Sequence, residues 1–251
     1  MRAVIVAGGQ GVRLRPYTTV LPKPLMPVGG IPIIEIIIRQ LRNFGFGHIA
    51  ICLGYGRDLI ETYLGDGRKW NVHIEYIVED QPLGTVGPLA FLSPGPDNES
   101  VLVTNADVLT DLNFRKFMAF HIMQSADFTA AVCEREVVIP SGVLSVTDGR
   151  ITQWQEKPVI PYQASMGIYA IRVEAVRTFV KGMMDIPDFV KLILGHGRTM
   201  AFACRSQWID VGREEDLKVA DRLFTESPNV YLHETNVKKI ERVRGHSSCG
   251  I

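Results

Sequence analysis

The sequence has no excess of charge of either sign, because 27 Lys and Arg residues balance 27 Asp and Glu residues. A protein that binds duplex DNA or RNA neutralises many phosphates and normally carries a clear basic excess. Nucleic acid is therefore not expected as a partner. Local groups of arginine and lysine can still bind a small phosphorylated ligand.

Cysteine is scarce and widely spaced. A disulfide framework or a zinc site would need paired or clustered cysteines, and no CxxC pair is present, so neither is expected. Most of the cysteines lie in apolar runs, where cysteine behaves as a small hydrophobic residue. The four are Cys52, Cys133, Cys204 and Cys249.

Long hydrophobic runs are also missing. The longest, residues 31–38, is interrupted by Glu35 and is far shorter than the roughly 20 residues that a membrane helix requires. The chain begins directly with the strand-like run 2–7 and shows no signal-peptide layout. We therefore predict a soluble, cytoplasmic protein that has no membrane partner.

Strand-length apolar runs alternate with helix-period segments through the first half of the chain. This alternation predicts βαβ units and a parallel sheet that is covered on both faces. The predicted strands are Ala3–Ala7, His48–Leu53, Val72–Val78 and Ser100–Thr104, and the predicted helices are Ile33–Phe44, Arg57–Leu64 and Thr85–Leu92.

The second half is richer in strands, and Asp148-Gly149 is a hairpin turn signal. No linker or repeat divides the two halves. We predict one α/β domain over residues 1–225 and a C-terminal extension over residues 226–251. The expected fold is Rossmann-like: a mostly parallel mixed sheet flanked by helices, with a smaller β-rich sugar-binding elaboration. The predicted strands here are Asp127–Cys133, Val143–Val146, Ile151–Trp154, Ile168–Ile171, Met200–Cys204 and Trp208–Val211, and the predicted helices are Leu112–Gln124, Val173–Val180, Asp188–Leu194 and Glu214–Phe224.

A glycine-rich segment follows the first predicted strand and runs from Ala7 to Thr18. Glycines let the backbone approach a ligand closely and turn N–H groups toward an anion. The segment lacks the third glycine of a dinucleotide fingerprint and the Gly-Lys-Ser/Thr of a Walker A loop. It carries Arg13 and Arg15 instead, followed by Lys23. Such a loop suits a triphosphate, although a tight turn with a solvated arginine is the alternative.

Two aspartates, Asp107 and Asp210, lie at positions where a carboxylate could bind a metal ion. Asp107 comes just after the predicted strand 100–104, at the end where open α/β sheets bind ligands, and Mg²⁺ prefers such oxygens. Asp210 lies inside an apolar run, where a carboxylate is costly to bury without a partner or a metal. Asp107 could instead cap a turn, although we predict Asp111 as the cap of the following helix.

A third group follows the predicted hairpin, at Glu156-Lys157-Pro158. Lys157 could pair with a substrate phosphate, and Glu156 could accept hydrogen bonds from hydroxyls. By itself the tripeptide is equally well an exposed turn.

Together these motifs resemble the sugar-1-phosphate nucleotidyltransferase family. They occur in family order over about nine-tenths of the chain, and the similarity is greatest to the branch that uses GTP with mannose 1-phosphate or heptose 1-phosphate. The matching segments are Ala7-Gly-Gly-Gln-Gly-Val-Arg-Leu-Arg-Pro, Leu21-Pro-Lys-Pro-Leu-Met-Pro-Val, Pro82-Leu-Gly-Thr-Val-Gly87, Asn105-Ala-Asp-Val-Leu-Thr-Asp-Leu112, Glu156-Lys-Pro158, Met166-Gly-Ile-Tyr169, Asp185-Ile-Pro-Asp188 and Trp208-Ile-Asp-Val-Gly-Arg213.

The resemblance implies an Mg²⁺-dependent enzyme whose partners are a nucleoside triphosphate and a sugar 1-phosphate, with a homo-oligomer left open. The implied nucleotide-binding residues are Ala7, Gly8, Gly9, Gly11, Arg13, Lys23, Glu79 and Gly84. The implied metal ligands are Asp107 and Asp210, the implied sugar-phosphate residues are Gly142, Glu156 and Lys157, and the implied catalytic set is Arg13, Lys23, Asp107, Lys157 and Asp210. The chain departs from the family pattern at Val12, where Thr or Ser is usual, and at Ala106, where glycine is usual.

Glu79 carries a prediction about the base. In relatives that use UTP or dTTP, a glutamine commonly stands at this position, five residues before the glycine that meets the base. An ionised glutamate can only accept hydrogen bonds, which suits the N–H donors of guanine and opposes the carbonyl oxygens of uracil. We therefore predict a preference for GTP, with UTP or dTTP and glucose 1-phosphate as the alternative. Gln81 could take over this position, or Glu79 could be a solvated loop charge.

Two other functional classes stay open. A sugar-nucleotide-binding regulatory protein would be expected to have lost some of its charged catalytic positions, yet they are intact here. A glycosyltransferase would also place an aspartate on a metal-bound nucleotide, but its donor has no triphosphate for the glycine-rich loop to bind.

Overall fold

The computed structural model describes residues 1–79, 81–96 and 99–233. Most of the predicted C-terminal extension, including Cys249, lies outside the described residues. The helices are α1 (Ile33–Asn43), α2 (Arg57–Leu64), α3 (Phe114–Met123), α4 (Val173–Phe179), α5 (Ile186–Ile193), α6 (Glu214–Glu226) and α7 (Pro228–Leu232). The strands are β1 (Arg2–Ala7), β2 (Pro27–Val28), β3 (Ile31–Pro32), β4 (His48–Leu53), β5 (His73–Val78), β6 (Ser100–Asn105), β7 (Val108–Thr110), β8 (Phe128–Val138), β9 (Val143–Thr147), β10 (Arg150–Gln155), β11 (Val159–Arg172), β12 (Thr199–Ala203) and β13 (Trp208–Asp210).

Seven strands form the central sheet in the order β12-β8-β11-β6-β1-β4-β5. β1 pairs in parallel with β4 and β6, β4 with β5, and β12 with β8. Only β11 runs antiparallel to its two neighbours, β6 and β8. The predicted mostly parallel mixed sheet is confirmed.

The central strands are buried on both faces, as parallel sheets require. Val4 and Ile5, which point to opposite faces of β1, are both fully buried and belong to two separate hydrophobic clusters. Helix α1 covers one face with an almost continuous stripe of isoleucines. Its buried Gln40 donates from Nε2 to the carbonyl of Thr110 at 2.7 Å, which ties the helix to β7.

Two local predictions are wrong. The predicted helix 85–92 is a 3₁₀ turn over Gly87–Phe91, because the Thr85 hydroxyl and amide are bonded to the start of α5 rather than to a helical turn. Asp111 does not cap α3: Asn113 accepts from the Lys116 amide at 2.9 Å instead. The Asp111 carboxylate accepts from the Gln207 amide at 2.8 Å and so links β7 to the segment before β13.

The strands β8 and β11 extend well beyond the predicted segments, to 11 and 14 residues. Their far halves pair with each other from Gln163↔Glu134 to Val159↔Val138, outside the central core, where the side chains are exposed. The predicted hairpin lies between them as β9 and β10. Its turn residues Asp148 and Gly149 have φ of 50° and 77°, as a type I′ turn demands.

The beginning of the predicted extension packs on the domain. Tyr231 and Leu232 of α7 are 2% and 4% exposed, and Asn43 at the end of α1 donates to the carbonyl of Leu232 at 2.7 Å. The predicted division after residue 225 stays a prediction. In the described part of the chain, every helix is too short or too polar to cross a membrane.

One buried histidine links α3 to the sheet. The His121 ring nitrogens lie 2.8 Å from Thr129 Oγ1 and 3.0 Å from Ser100 Oγ, and the residue is 1% exposed. Burial, together with the nearby Arg172 charge, lowers the pKa of His121 to about 4, and the Asp127 charge opposes this shift. A pKa lower in the folded than in the unfolded state stabilises the fold above pH 6.5 and loses that contribution as pH falls toward 4.

We predict that His121→Gln loses less stability than the wild-type protein between pH 6.5 and pH 4. The difference in the free energy of unfolding is expected to reach roughly 3 kcal/mol, since one pKa unit corresponds to about 1.4 kcal/mol. Urea unfolding across this pH range measures it. His196→Gln, at an exposed position, is the matched control and should follow the wild-type curve. Parallel curves for wild type and His121→Gln would contradict the assignment.

Candidate active site

The glycine-rich loop after β1 is held in one conformation. Gly11 has φ of 62°, and a Cβ there would lie 3.0 Å from the side chains of Thr18 and Lys23. Thr18 donates from its hydroxyl to the Gly11 carbonyl at 2.8 Å, and the buried Leu14 anchors the 3₁₀ turn Val12–Leu14. Arg13 is therefore presented from a fixed turn, with its side chain exposed.

The two predicted metal ligands are neighbours, although 103 positions separate them (210 minus 107). Asp107 follows β6, and Asp210 ends β13, where it pairs with Val108 of β7. The Val211 amide donates to the Asp107 carbonyl at 2.9 Å. The antiparallel β7–β13 pair therefore brings the two carboxylates together.

Lys23 is the cation of this group. It forms an ion pair with Asp107, and its Nζ lies 3.8 Å from Asp210 Oδ1, which is too long for a hydrogen bond. The buried Oδ1 atoms of Asp107 and Asp210 each lack a hydrogen-bond partner among the described residues. One lysine thus leaves two carboxylates incompletely satisfied, which is costly in a buried position.

The electrostatics at Asp210 reflect this shortage of cations. Burial raises the pKa of Asp210, and the Asp107 charge raises it further, while Lys23 and Arg13 lower it. Arg13 lies beside this group: a Cβ added at Gly212, two residues after Asp210, would lie 3.2 Å from the Arg13 Nη2. Four of the five predicted catalytic residues, Arg13, Lys23, Asp107 and Asp210, therefore converge at one place.

A cavity of about 590 Å³ opens beside the glycine-rich loop. Four predicted nucleotide-binding residues lie on its wall, whereas Ala7 is buried at the end of β1 and does not line it. The wall consists of Val6, Gly8, Gly9, Gln10, Gly54, Tyr55, Glu79, Pro82, Gly84, Thr85 and Asp185. Its volume lies within the usual range of small-molecule binding pockets.

Glu79 is half-buried in this wall rather than a solvated loop charge. Its Oε2 accepts from the Leu83 amide at 2.8 Å, and its Oε1 would lie 3.1 Å from a Cβ added at Gly8. Burial raises the pKa of Glu79, and the hydrogen bond from Leu83 opposes that shift. One carboxylate oxygen is thus held by the backbone, and the other faces the loop.

Gly84 has a steric reason to be glycine. Its φ is 76°, and a Cβ would lie 2.5 Å from the carbonyl oxygen of Met184. The backbone of Met184 bonds to Leu83 and Val86 at 2.8 and 3.0 Å, so the loop is fastened to the start of α5. This contact also brings Asp185, which accepts from the Thr85 amide at 3.0 Å, to the cavity.

Several residues on the cavity wall were not identified from the sequence. Asp185 and Thr85 stand in segments that match the family, but nothing in their spacing shows that α5 returns to this loop. Tyr55 could have been found, because the Gly54-Tyr55-Gly56 punctuation follows β4, whose carboxyl end adjoins that of β1.

The predicted sugar-phosphate residues lie on the strand-rich elaboration. A Cβ at Gly142 would lie 3.1 Å from Glu156 Oε2, and Trp154 donates from Nε1 to the same oxygen at 3.4 Å. Gly142 and Glu156 are therefore brought together. Lys157 is exposed, with φ of 45°, and within the described residues it makes no hydrogen bond or ion pair with Asp107 or Asp210.

Comparison of the sequence with known proteins identifies the family to which the chain belongs. The sequence model described as Nucleotidyl transferase matches residues 2–227. The chain belongs to this family. That match covers every site residue named above, so the family resemblance inferred from the sequence is confirmed.

This nucleotidyl transferase is similar in sequence to two differently named transferases. The chain is 31% identical, over 92% of its length, to the low-salt glycan biosynthesis nucleotidyltransferase Agl11 of Haloferax volcanii. It is 30% identical, over 90% of its length, to a mannose-1-phosphate guanyltransferase of Aspergillus fumigatus. The chain spans 68% and 65% of those proteins. The solved structure of HddC from Yersinia pseudotuberculosis has a TM-score of 0.69 and 24% identity, over 89% of this chain and 99% of that one, and so shares the fold.

We predict that Gly84→Ala disrupts the loop and weakens nucleotide binding by about tenfold or more, corresponding to at least roughly 1.4 kcal/mol. The variant has both an unfavourable positive φ and a clash with the Met184 carbonyl. Gly30→Ala is the matched control, because Gly30 has φ of 81° with no neighbour within 4 Å of an added Cβ. It should lose only about 1–2 kcal/mol of stability and keep its nucleotide affinity. Calorimetry and urea unfolding measure both, and equal affinities for the two variants would refute the contact.

Proposed function

We propose that this nucleotidyl transferase condenses a nucleoside triphosphate with a sugar 1-phosphate to give a nucleoside diphosphate sugar and pyrophosphate. The observation that carries the proposal is the convergence of two carboxylates and two cations at the glycine-rich loop, which also lines a cavity of about 590 Å³. The similarity to mannose-1-phosphate guanyltransferases over 90% of the chain supports the same reaction class.

The reaction needs positioning and charge neutralisation more than acid–base chemistry. An oxygen of the sugar phosphate forms a bond to the α-phosphorus of the triphosphate. The bond from that phosphorus to the oxygen that bridges to the β-phosphate breaks, and pyrophosphate leaves with the electron pair. The nucleophile is already an anion at neutral pH, so no general base is required. Arg13 and Lys23 would offset the repulsion between the two polyanions and stabilise the charge that develops.

Asp107 and Asp210 fit a role as Mg²⁺ ligands, because each has a buried oxygen without a hydrogen-bond partner. A set of three or more carboxylate, histidine or cysteine ligands was not found among the described residues. That result is compatible with Mg²⁺, which uses one or two carboxylates and takes its remaining ligands from phosphates and water. When bound, Mg²⁺ would supply charge neutralisation on the phosphates. Lys23, now paired with Asp107, would be available to the triphosphate.

For the second substrate, we assign Gly142 and Glu156 to the sugar hydroxyls and Lys157 to the sugar phosphate. The adjacency of Gly142 and Glu156 supports a shared binding surface. Next to this surface, Lys157 is exposed and has no ion-pair partner among the residues that the structure describes, which suits it to a phosphate.

The proposed reaction is tested by a matrix of nucleoside triphosphates against sugar 1-phosphates with Mg²⁺, read as pyrophosphate release. Release that requires both substrates supports the proposal. Binding of a sugar nucleotide without any release would indicate a regulatory protein. Consumption of a nucleoside diphosphate sugar with an acceptor, and without triphosphate, would indicate a glycosyltransferase.

We predict that Asp107→Asn and Asp210→Asn each lower kcat about 100-fold or more while the protein stays folded. The magnitude follows from the usual cost of removing one electrostatic stabiliser of a transition state. Stability should not fall, because each change removes a like charge from a crowded group. Steady-state rates across a Mg²⁺ titration measure the effect, and Asp188→Asn, at an exposed position on α5, is the control. Near-normal activity in either active-site variant would exclude the two-aspartate site.

For the base, we predict that the wild-type enzyme uses GTP with a higher kcat/KM than UTP, dTTP or ATP. Glu79 has one oxygen available to accept from the N–H donors of guanine. Glu79→Gln should reduce the preference for GTP about tenfold, which corresponds to roughly 1.4 kcal/mol of hydrogen bonding. Gln81→Ala is the control, because Gln81 is exposed and does not line the cavity. A wild-type preference for UTP or dTTP would refute the base assignment and leave the reaction class standing.

A further inference from the structure

Three sulfur-containing side chains meet on one face of the central sheet, outside the candidate active site. The Sγ atom of Cys204 lies 3.5 Å from the Sδ atom of Met166, although 38 positions separate the two residues. Cys133 lies on the strand between them, as the strand order and register show. None of the three has a part in the proposed reaction.

The order of the strands places Cys133 beside both partners. β8, which carries Cys133, lies between β12 and β11 in the sheet. The Cys204 amide donates to the Val132 carbonyl at 3.0 Å and so continues the parallel ladder of β12 with β8, next to Cys133. On its other side, Cys133 lies opposite Ala164 of β11, two residues before Met166. Cys133 and Met166 belong to the same hydrophobic cluster, and Cys204 packs against it, so the three sulfurs share one face.

A cavity of about 620 Å³ gives access to this cluster, and both cysteines line it. It shares no lining residue with the cavity at the glycine-rich loop. Cys204 is half-buried, Cys133 is 5% exposed and Met166 is fully buried. Both thiols are free. A small ligand that enters the cavity therefore meets thiols first and a thioether behind them.

The chemistry of these ligands selects a soft metal ion. Thiolate and thioether sulfurs favour Cu(I), whereas Mg²⁺ and Ca²⁺ favour oxygen. Three sulfurs that each lie about 2.3 Å from one metal ion are separated from one another by roughly 4 Å, which is close to the 3.5 Å between Cys204 and Met166. Two thiolates around a monovalent ion leave one negative charge, and Arg135 and Arg205 on the same cavity wall offset it.

We propose that Cys133, Cys204 and Met166 bind one Cu(I) ion, at a site separate from the two aspartates of the candidate active site. Such an ion would join β8, β11 and the end of β12. Its effect would extend to β13, because the Met166 carbonyl accepts from Nε1 of Trp208, the first residue of that strand, at 2.7 Å. The proposal does not depend on the transferase reaction.

The binding test titrates the reduced protein with Cu(I) under anaerobic conditions, in competition with the chromophoric chelator bathocuproine disulfonate. The wild-type protein should bind one ion per chain. Cys133→Ala and Cys204→Ala should each lower the affinity about 100-fold or more, because even outer-shell partners of a metal ligand contribute about 10–100-fold. Met166→Leu keeps the side-chain volume and should lower the affinity about tenfold.

The chain offers two matched controls. Cys52→Ala removes a buried thiol from the cluster on the opposite face of the sheet, and Cys249→Ala removes a thiol outside the described residues. Both should keep the wild-type affinity. An excess of Mg²⁺ should not displace Cu(I), because Mg²⁺ prefers oxygen ligands.

Alkylation of Cys204 by iodoacetamide, followed by mass spectrometry, is the second readout. Cu(I) should slow this reaction about tenfold or more in the wild-type protein, and less in Met166→Leu. Circular dichroism and urea unfolding establish that each variant is folded. Wild-type Cu(I) affinity in folded Cys133→Ala and Cys204→Ala would overturn the proposal. So would an equal loss of affinity in Cys52→Ala or Cys249→Ala, or displacement of the ion by Mg²⁺.

Discussion

The antiparallel pairing of β7 with β13 is the contact on which the site depends. It places Asp210 beside Asp107 and draws Gly212 against Arg13. Both carboxylates are then held in a setting that provides one lysine for two negative charges. The resulting deficit of positive charge is a property of the assembled fold, because neither aspartate has it in its own segment. Because Lys23 is the one cation that the described residues place in an ion pair with these two carboxylates, the arrangement leaves room for a further cation.

The glycine-rich loop connects two parts of the candidate site. Gly8, Gly9 and Gln10 line the cavity of about 590 Å³, and Gly11 packs against the side chains of Thr18 and Lys23. Lys23 is the lysine that pairs with Asp107, so the loop joins the cavity to the carboxylate pair. The contact of Gly84 with the Met184 backbone, just before α5, fixes another part of the cavity wall.

Local sequence patterns predicted much of the secondary structure. The alternation of apolar runs located β1, β4 and β6 within about one residue, because buried parallel strands are continuously hydrophobic. The same patterns underestimated β8 and β11, whose outer halves are mostly exposed and lack that signal. The same patterns also gave wrong predictions for Asp111 and for residues 85–92. The Asp111 carboxylate accepts a hydrogen bond from the distant Gln207 amide instead of capping α3. The Thr85 hydroxyl accepts one from Ile186, at the start of α5, instead of beginning a helix.

The sequence by itself determined the family, through motifs that stand in family order along the chain. It also determined the glycine-rich loop and the identity of the charged residues, since these depend on residue type and local spacing. Only the tertiary structure decided which of them meet. Asp107 and Asp210, 103 positions apart (210 minus 107), converge through the β7–β13 pair, Gly84 packs against the Met184 backbone, and Arg13 lies against Gly212. These contacts form between segments that are distant along the chain, and their geometry comes from packing, which local sequence patterns do not record.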